Sequence, residues 1–307
     1  MVVAEGPAPG PEPGSEGLVP TVVPVEGIGD AAGLDAAALL RRLLDRLADL
    51  PSAVVAVSGG VDSAVVLAAA VRSLPVVVAA TGTSVAYAQE DLRAAADLAA
   101  TLGVEHVAIE TRETTDPRYA VNAPSRCFHC KGELYGRLRE LAAARGLGAI
   151  LDGTHAEDAA DFRPGMRAAE ASGVRSPLRE AGIGKGEIRA LARFLGLSVW
   201  NKPASPCLAS RFPYGEAITA RKLGMVDRAE GLLRELGFRE FRVRHHGNIA
   251  RIEVPPAEMP RLLELAAHVV PSFKGIGYAY VALDLQGFRS GSLNEVLTPA
   301  ARAQAAP

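Results

Sequence analysis

Apolar residues in the first two thirds of the chain alternate between helical spacing and short continuous runs. Helical spacing begins with one stripe of leucines after a capping residue, Asp35: Leu39, Leu40, Leu43, Leu44 and Leu47. Continuous apolar runs predict four buried strands, at 53–57, 76–81, 105–110 and 149–154. The stretches between and after these runs predict further helices, at 63–74, 89–103, 131–145 and 184–196.

Strands that are apolar on both faces, and that alternate with helices, indicate a parallel sheet covered by helices on both sides. Right-handed crossovers then give a doubly wound, Rossmann-like α/β fold. Such a fold binds its ligand at the carboxyl ends of the strands. Three polar segments follow predicted strands at that edge: SGGVDS at 58–63, TGT at 81–83 and DGTHAED at 152–158.

The pattern changes after about residue 215 and predicts a smaller α+β domain. A helix at 217–237 precedes strands at 241–246 and 249–254, and a helix at 257–270 precedes a last strand at 278–285. The ends of the chain are rich in Pro, Gly and Ala, and we expect them to be disordered. The predicted organisation is a leader, a first domain, a C-terminal substrate and oligomerisation domain, and a frayed tail, at 1–33, 34–203, 204–298 and 299–307.

Composition narrows the class of protein. Among 307 residues, 49% are hydrophobic and 22% are charged, which is typical of a globular protein. The net charge of −2 gives no basic field for nucleic acid or for a membrane, and we expect neither as a partner. We find no secretory signal and expect a cytoplasmic protein. Three cysteines in that compartment point to metal binding or catalysis more than to disulfides.

The turn after the first strand has the residue types of an anion-binding loop. Gly59 and Gly60 permit positive φ and close backbone approach, and the helix that follows offers its backbone N–H groups. Ser58 and Ser63 add hydroxyl donors, and Asp62 can hold Mg²⁺. Two glycines alone would fit an ordinary turn, whereas the full SGGVDS favours a phosphate loop. The Lys-Ser or Lys-Thr pair of a Walker A loop is missing.

The cysteines leave several kinds of site open. Cys127 and Cys130 have CxxC spacing, which is typical of a redox pair and of half the ligands of a zinc or iron–sulfur site. With Cys207, three thiolates would leave one coordination position open. His129 lies between the first two cysteines and is poorly placed as a fourth ligand. Three unrelated buried thiols are the structural alternative.

SGGVDSA at 58–64 resembles the signature of the PP-loop ATP pyrophosphatases, whose fold is of the adenine nucleotide alpha-hydrolase type. The resemblance implies that a substrate oxygen attacks the α-phosphate of ATP, so that the substrate is adenylated and pyrophosphate leaves. We expect Lys185, at a helix start, and Arg163 to bind phosphate oxygens at the same edge. The predicted ATP and Mg²⁺ site comprises Ser58, Gly59, Gly60, Asp62 (on Mg²⁺), Ser63, Thr81, Gly153, Arg163 and Lys185.

Six segments together resemble the LarE family, over about residues 35–298: SGGVDSA, RCFHCKGELY, DGTHAED with DFRPG, SPLREAGIGKGEIR, KPASPCLASRFPYGEAIT and VALDLQGFRSGSLNE. LarE proteins are ATP-dependent sulfur transferases in the biosynthesis of the nickel-pincer nucleotide, the cofactor of lactate racemase. The resemblance implies that the carboxylates of pyridinium-3,5-biscarboxylic acid mononucleotide are adenylated and converted to thiocarboxylates. It also implies a hexamer built from trimers, working with the other proteins of nickel-pincer nucleotide biosynthesis.

The family uses two sulfur sources. In one type a single cysteine, at the position of Cys207, gives up its sulfur and becomes dehydroalanine. In the other type three cysteines hold a [4Fe–4S] cluster that carries an extra sulfide. Cys127, Cys130 and Cys207 match the count of the second type. The resemblance further implies a substrate site whose arginines bind the phosphate group, and that site comprises Ser210, Arg211, Glu230, Arg242 and Arg244.

Three other functions share part of these features. A tRNA sulfurtransferase would share the loop and the cysteines but would need a broad basic surface. An ammonia-using ligase of the NAD or GMP synthetase kind would not need the cysteines. A nucleotide-binding regulatory module would keep the glycine turn but would have no use for cysteines beside it. Pyrophosphate release with the candidate substrate would separate the module from the enzymes.

Overall fold

The computed structural model describes residues 35–160, 164–289 and 291–298. The predicted leader, the predicted tail and Arg163 lie outside these residues. The first sheet has four strands in the order β3-β2-β1-β4, and every neighbouring pair is parallel. The predicted doubly wound α/β fold is therefore confirmed. Its strands are β1 (Ala53–Ala56), β2 (Val77–Thr83), β3 (Glu105–Glu110) and β4 (Ala149–Leu151).

Helices cover both faces of this sheet, because neighbouring residues of a strand point to opposite sides. On β1, Val55 belongs to the core formed with the first, second and eighth helices, whereas Val54 belongs to the core formed with the fifth and sixth. Both side chains are fully buried. The helices are α1 (Ala36–Asp45), α2 (Val61–Ser73), α3 (Gln89–Thr101), α4 (Pro117–Ala120), α5 (Arg126–Arg145), α6 (Pro164–Ala171), α7 (Pro177–Glu180) and α8 (Lys185–Phe194).

Helix α5 begins at Arg126, five residues before the predicted start at residue 131. Cys127 and Cys130 therefore lie on the first turns of a helix, whereas the helix predicted at 131–145 would have left both in the loop before it. Burial explains the difference: Arg126 and Cys130 are both buried against neighbouring segments, and such packing outweighs the weak helix propensity of the sequence RCFHC. Gly146, with φ of +64°, ends the helix as its sequence suggests.

Strand β4 ends at Leu151, three residues earlier than predicted. The cause is the next residue, Asp152, whose carboxylate accepts a hydrogen bond from the backbone N–H of Thr154 at 3.1 Å. A side chain that bonds the backbone two residues ahead turns the chain out of the strand. The turn directs the residues after β4 toward the edge where the other strands also end.

The C-terminal part contains the predicted second sheet, with three strands in the order β5-β6-β7. Strands β5 (Arg242–His246) and β6 (Ile249–Glu253) are antiparallel, and β7 (Tyr280–Leu283) pairs parallel to β6. Helix α9 (Ala220–Glu235) packs against one face. The single helix predicted at 257–270 is two helices, α10 (Met259–Glu264) and α11 (Ala266–Ile276).

A separate apolar core joins the two parts of the chain. It combines Tyr119 and Cys130 from the first part with Leu208, Phe212 and Val226 from the second. The backbone N–H of Leu208 also donates to the carbonyl of Ala86 at 2.9 Å. The predicted domain boundary at residue 203 stays a prediction, but this core fixes the Cys207 region against helix α5. Within the described residues, no helix is both long and apolar enough to cross a membrane.

Candidate active site

The segment Ser58–Ser63, called the phosphate loop below, connects β1 to α2 in the way the sequence predicts. Gly59 has φ of +74°, a left-handed conformation that favours glycine. The hydroxyl of Ser63 accepts from the backbone N–H of Ser58 at 3.1 Å and donates to the carbonyl of Gly60 at 3.2 Å. These bonds brace the loop around the N-terminus of α2, where Asp62 lies in the first turn. A glycine turn at a helix N-terminus is an arrangement suited to an anion, and the binding of ATP phosphates to this loop stays a prediction.

Two glycines are required here by close packing as well. A Cβ atom on Gly59 would lie 2.2 Å from the carbonyl oxygen of Asp91, in helix α3. A Cβ atom on Gly153, after β4, would lie 2.7 Å from the backbone nitrogen of Ser63. Both distances are shorter than any van der Waals contact. The ends of β1 and β4 and the start of α3 therefore meet at the phosphate loop.

Thr81 lies at the same edge, as predicted, but its hydroxyl is already engaged. It donates to the carbonyl of Val57 at 2.8 Å and lies 2.9 Å from Nε2 of His106. Burial lowers the pKa of His106, which favours the neutral ring that can donate to this hydroxyl. Thr81 thus fixes β2 beside the loop, and its contact with ATP stays a prediction.

Lys185 is the first residue of α8, as predicted. Two carboxylates already occupy this helix start: Glu157 accepts from the backbone N–H of Lys185 at 2.9 Å, and Glu187 accepts from that of Gly184 at 2.8 Å. The negative charges reduce the attraction of this helix start for a phosphate. The role of the Lys185 side chain in binding phosphate stays a prediction, as does that of Arg163 outside the described residues.

The three cysteines share one neighbourhood beside the core that joins the two parts. Cys130 is buried, and its Sγ lies 3.8 Å from the hydroxyl of Tyr87. Cys207 packs against the same core from the other part of the chain. Burial raises the pKa of the Cys130 thiol, and the negative charges of Cys207, Glu113 and Cys127 add to the effect. The nearly fully buried guanidinium of Arg126 is a cation close to Cys127 and Cys207, whose charges oppose the effect of burial on its pKa.

Cys127, Cys130 and Cys207 supply sulfur donors of the kind that iron–sulfur clusters use, and their binding of a cluster stays a prediction. Of the residues that the structure describes, no three His, Cys, Asp or Glu side chains surround one metal ion. A four-iron cluster binds each cysteine at a different iron, so its ligand sulfurs lie farther apart than the ligands of one ion. Three thiols near a buried guanidinium suit such a group, because the cation offsets the charge of the thiolates.

The stretch Lys202–Cys207, called the cysteine strap below, links the phosphate loop to Cys207. The ammonium of Lys202 donates to the carbonyl of Gly59 at 2.9 Å and forms an ion pair with Asp91 at 2.7 Å. Ser205, two residues before Cys207, donates to the other carboxylate oxygen of Asp91 at 2.8 Å. Lys202 and Asp91 were not among the predicted site residues, although Lys202 is the first residue of the motif that contains Cys207.

Ser210, Arg211 and Glu230 lie together directly behind Cys207. The guanidinium of Arg211 forms a two-pronged ion pair with Glu230 and also donates to the carbonyl of Cys207 at 3.2 Å and the hydroxyl of Ser210 at 2.9 Å. Burial opposes both charges, yet the pairing raises the pKa of Arg211 and lowers that of Glu230. The pair fixes the turn after Cys207, and direct substrate contact by these residues stays a prediction.

Arg242 and Arg244 alternate on β5, as predicted, and both reach the same region. Arg244 pairs with Glu253 through two 2.9 Å bonds and donates to the carbonyl of Ser210 at 2.9 Å. Arg242 donates to the carbonyl of Ala204 in the cysteine strap at 2.6 Å, and burial lowers its pKa to about 10. A cavity of about 190 Å³ opens beside them, lined by Arg211, Arg244, His246, Arg251 and Ser292 among others.

Lys131, one residue after Cys130, is a second cation that the sequence analysis missed. Its ammonium lies 5.5 Å from the ring centre of Tyr135, whose hydroxyl donates to Asp152 at 2.9 Å. The charges of Tyr135, Cys130 and Asp152 raise the pKa of Lys131 against the effect of burial. Lys131 therefore stays an ammonium between the cysteines and the end of β4. A lysine directly after a CxxC pair was the available signal.

Comparisons with known proteins agree with this geometry. The family model for asparagine synthase matches residues 36–123, which include the phosphate loop. The uncharacterized protein slr1717 of Synechocystis is 44% identical over 262 residues, covering 84% of this chain and 98% of that protein. The uncharacterized protein MJ0830 of Methanocaldococcus jannaschii is 29% identical over 169 residues, 55% of this chain and 66% of that protein.

A relative with an assigned activity matches over a similar length. The pyridinium-3,5-bisthiocarboxylic acid mononucleotide synthase of Lactiplantibacillus plantarum is 41% identical over 260 residues. The match covers 84% of this chain and 94% of that protein, and any stretch of that length includes the phosphate loop, the cysteine strap and strands β5 and β6. The resemblance inferred from the six segments is confirmed: this chain belongs to the LarE family of pyridinium-3,5-bisthiocarboxylic acid mononucleotide synthases, which carry a PP-loop ATP-binding fold.

Proposed function

We propose that this protein is an ATP-dependent sulfur transferase that makes thiocarboxylates on pyridinium-3,5-biscarboxylic acid mononucleotide, in nickel-pincer nucleotide biosynthesis. The synthase from Lactiplantibacillus plantarum, named for the bisthiocarboxylic acid product, is the relative that supports this substrate. One structural observation carries the proposal. The segment that bears Cys207 is bonded through Lys202 to the carbonyl of Gly59, and this bond supports a single site for the ATP loop and Cys207.

Adenylation is the first half of the proposed reaction. The backbone N–H groups of the phosphate loop and the hydroxyl of Ser58 bind the pyrophosphate end of ATP, and the Ser63 hydroxyl joins them when it exchanges its bond to the Gly60 carbonyl for one to phosphate. Asp62 would hold Mg²⁺. A carboxylate oxygen of the substrate attacks the α-phosphorus, the bond between the α-phosphorus and the bridging oxygen breaks, and pyrophosphate leaves with the bonding electrons. The substrate carboxylate has become a mixed anhydride with AMP. That change turns a poor leaving group into a good one.

Sulfur transfer is the second half. A sulfur nucleophile forms a bond to the activated carbonyl carbon, and the bond from that carbon to the AMP oxygen breaks, so that AMP leaves with both bonding electrons. We propose that Cys127, Cys130 and Cys207 hold a [4Fe–4S] cluster, which when bound supplies the sulfide. Arg126 lies beside Cys127 and Cys207 and stabilises negative charge on their sulfurs. Lys131 does the same near Cys130.

Substrate binding is assigned to the second part of the chain. We propose that residues 34–203 form the ATP-binding domain and 204–298 the substrate domain, and that the arginines near the 190 Å³ cavity bind the phosphate of the substrate. The proposed site comprises Ser210, Arg211, Glu230, Arg242 and Arg244. The proposal extends to a hexamer in the cytoplasm, where thiols stay reduced, in association with other proteins of the same pathway.

The test is a single-turnover assay with protein purified without oxygen. Wild type should release pyrophosphate only with the dicarboxylate substrate, and mass spectrometry should show the exchange of one oxygen for one sulfur. About four irons per chain are expected if three cysteines hold a four-iron cluster. Cys130→Ala should lose the iron and the sulfur transfer. Ser125→Ala is the matched control, because the Ser125 side chain at the same end of α5 makes no capping bond.

The results of this assay distinguish between the candidate substrates and between the two sulfur donors. Pyrophosphate release that tRNA stimulates and the dicarboxylate does not would favour a tRNA sulfurtransferase and overturn the proposal. Iron-free wild type that still transfers one sulfur per chain would replace the cluster with Cys207 as the donor. In that case the Cys207 peptide should lose the elements of H₂S and contain dehydroalanine.

A further inference from the structure

The cysteine strap is a segment held by hydrogen bonds of its own side chains and of side chains from other elements. Residues 202–207 have no helix or strand. Lys202 fixes the first end, whereas Arg211 fixes the far end through the carbonyl of Cys207. Between them, Ala204 accepts from Arg242 and Ser205 donates to Asp91. Arg189 and Arg211 also donate to the carbonyls of Lys202 and Pro206. A segment that is held by separate side-chain bonds, and not by a helix or strand, shifts when one of its anchors moves.

The anchor at Lys202 is also next to the place where phosphate would bind. An ammonium has three N–H donors. In the part of the chain that the structure describes, two acceptors are assigned to it, the carbonyl of Gly59 and a carboxylate oxygen of Asp91. The Lys202 side chain is only 17% exposed, so its charge lies at the phosphate loop rather than in bulk water. One donor is left for an anion on that loop.

Asp91 completes the connection. Its backbone carbonyl packs against Gly59 so closely that no Cβ atom fits between them. Its two carboxylate oxygens contact two different residues of the cysteine strap, Lys202 at 2.7 Å and Ser205 at 2.8 Å. One residue therefore contacts the phosphate loop through its backbone and the cysteine strap through its side chain.

We propose that Lys202 and Asp91 are positioning residues that transmit the binding of the ATP phosphates to the cysteine strap. Lys202 gives its third donor to a phosphate oxygen on the loop and, through Asp91 and Ser205, fixes the strap so that Cys207 faces the activated substrate. The inference rests on the proposed function, since it needs ATP at the phosphate loop. In this role the Lys202–Asp91 ion pair positions Cys207 and takes no part in the making or breaking of bonds.

Charge explains why the pair is suited to this role. Without phosphate, the charge of Lys202 is balanced by Asp91. When an anion arrives, Lys202 is attracted to both, and the three groups form a network in which each contact strengthens the others. Without the ammonium, no cation would offset the repulsion between the Asp91 carboxylate and the incoming phosphates, and a displaced Asp91 would no longer hold Ser205 in place.

Trp200, the chain's single tryptophan, lies two residues before the strap and reports on its mobility. Its side chain is partly exposed, so acrylamide can quench its fluorescence. The experiment measures the quenching constant in the full-length protein as purified, with and without saturating inorganic pyrophosphate or the non-hydrolysable nucleotide AMPCPP. Binding of each probe is measured separately by calorimetry. Pyrophosphate is the sharper probe, because it has no nucleoside that could shield the tryptophan or Cys207.

In wild type, pyrophosphate should lower the quenching constant by about twofold or more, since ordering the strap excludes the quencher. Lys202→Gln should lose this change at saturating pyrophosphate, and Lys202→Arg should restore most of it because it keeps the cation. In the enzyme assay, Lys202→Gln should slow sulfur transfer at least about tenfold more than it slows adenylation. A residue with only a structural role would not separate the two half-reactions.

Arg189→Gln is the matched control. Arg189 donates to the carbonyls of Trp200 and Lys202 but is not bonded to the phosphate loop. Its loss should raise quenching in both states and leave the response to pyrophosphate intact. If Lys202→Gln binds pyrophosphate and responds as wild type does, the coupling is overturned and the proposed function stands. If wild type binds neither probe, the proposed function itself fails.

Discussion

The guanidinium of Arg211 and the carboxylate of Glu230 face each other behind Cys207, with two N–O distances of 2.8 Å. Both side chains are less than 5% exposed. Glu230 also accepts from the backbone N–H of Val243 at 3.0 Å, so the pair ties the turn after Cys207 to both α9 and β5. Both residues were predicted to contact the substrate, which stays a prediction. In the structure they form a buried ion pair, and any contact with substrate must leave that pair intact.

Removing one member of this pair should destabilise the protein strongly. Arg211→Ala leaves the Glu230 charge buried without its partner, which typically costs about 3–5 kcal/mol. The free energy of unfolding in urea measures the loss. Arg137→Ala is the control, because Arg137 pairs with Glu133 on the surface of α5 and its loss should produce no measurable change. Equal stability of both variants would show that the buried pair is dispensable.

Gly59→Ala should abolish ATP binding. A φ of +74° is unfavourable for alanine. Its Cβ atom would also lie 2.2 Å from the carbonyl oxygen of Asp91, so the phosphate loop and α3 would have to move apart. Calorimetry should show at least about a hundredfold weaker binding of AMPCPP, since a displacement near 1 Å is enough for such an effect.

The control for this substitution is Gly136→Ala in helix α5. A Cβ atom there meets nothing within 4 Å. Alanine in a helix interior is favoured over glycine by about 1 kcal/mol, so this variant should be more stable and bind AMPCPP normally. Normal nucleotide binding by Gly59→Ala would mean that ATP does not use the loop.

The sheet and the phosphate loop were predictable because they depend on local patterns. Strands β1 and β2 are continuous apolar runs, and the left-handed Gly59 follows β1 directly. Ser58 and Ser63, which brace the loop, are only five residues apart in the chain. Hydrophobic periodicity and turn formation depend on residues close together in the chain, so both can be recognised from the sequence.

The rest of the site depends on contacts between distant segments. Lys202 and Gly59 are 143 residues apart in the chain, and Arg244 and Ser210 are 34 apart. Contacts between residues so far apart in the chain produce no periodic pattern of apolar residues, so the sequence alone does not predict them. The helical start of α5 was missed for a similar reason, since burial of Cys130 against the second part of the chain stabilises a turn whose own propensity is weak.

Lys131→Met should slow sulfur transfer without weakening ATP binding. The ammonium lies among Tyr135, Cys130 and Asp152, whose charges raise the pKa of Lys131, so it remains positive at every pH of interest. Its removal should cost about tenfold or more in the sulfur step and lower the iron content, because thiolates lose a stabilising cation. Single-turnover kinetics and iron analysis provide the measurements. Lys274→Met, at the exposed end of α11, should change neither.

A buried histidine makes stability depend on pH. His245 is 1% exposed, with ring centres of Phe212 and Tyr278 at 5.0 and 5.4 Å. Burial lowers its pKa from the ordinary value of 6.5, and the nearby Glu216 only partly opposes this effect, while Lys222 adds to it. The folded protein therefore holds His245 neutral at a pH where the unfolded chain binds a proton.

The sign of the effect follows from this difference in protonation. As pH falls below 6.5, the unfolded state gains a proton at His245 that the folded state does not, so the free energy of unfolding decreases. The contribution reaches at most about 1.4 kcal/mol per pH unit and ends when the pH passes below the folded pKa. Urea unfolding between pH 7.5 and about 5 should show a shallower decline for His245→Gln than for wild type. His268→Gln, on the exposed surface of α11, should keep the wild-type slope; if His245→Gln does so too, the ring is protonated in the folded protein.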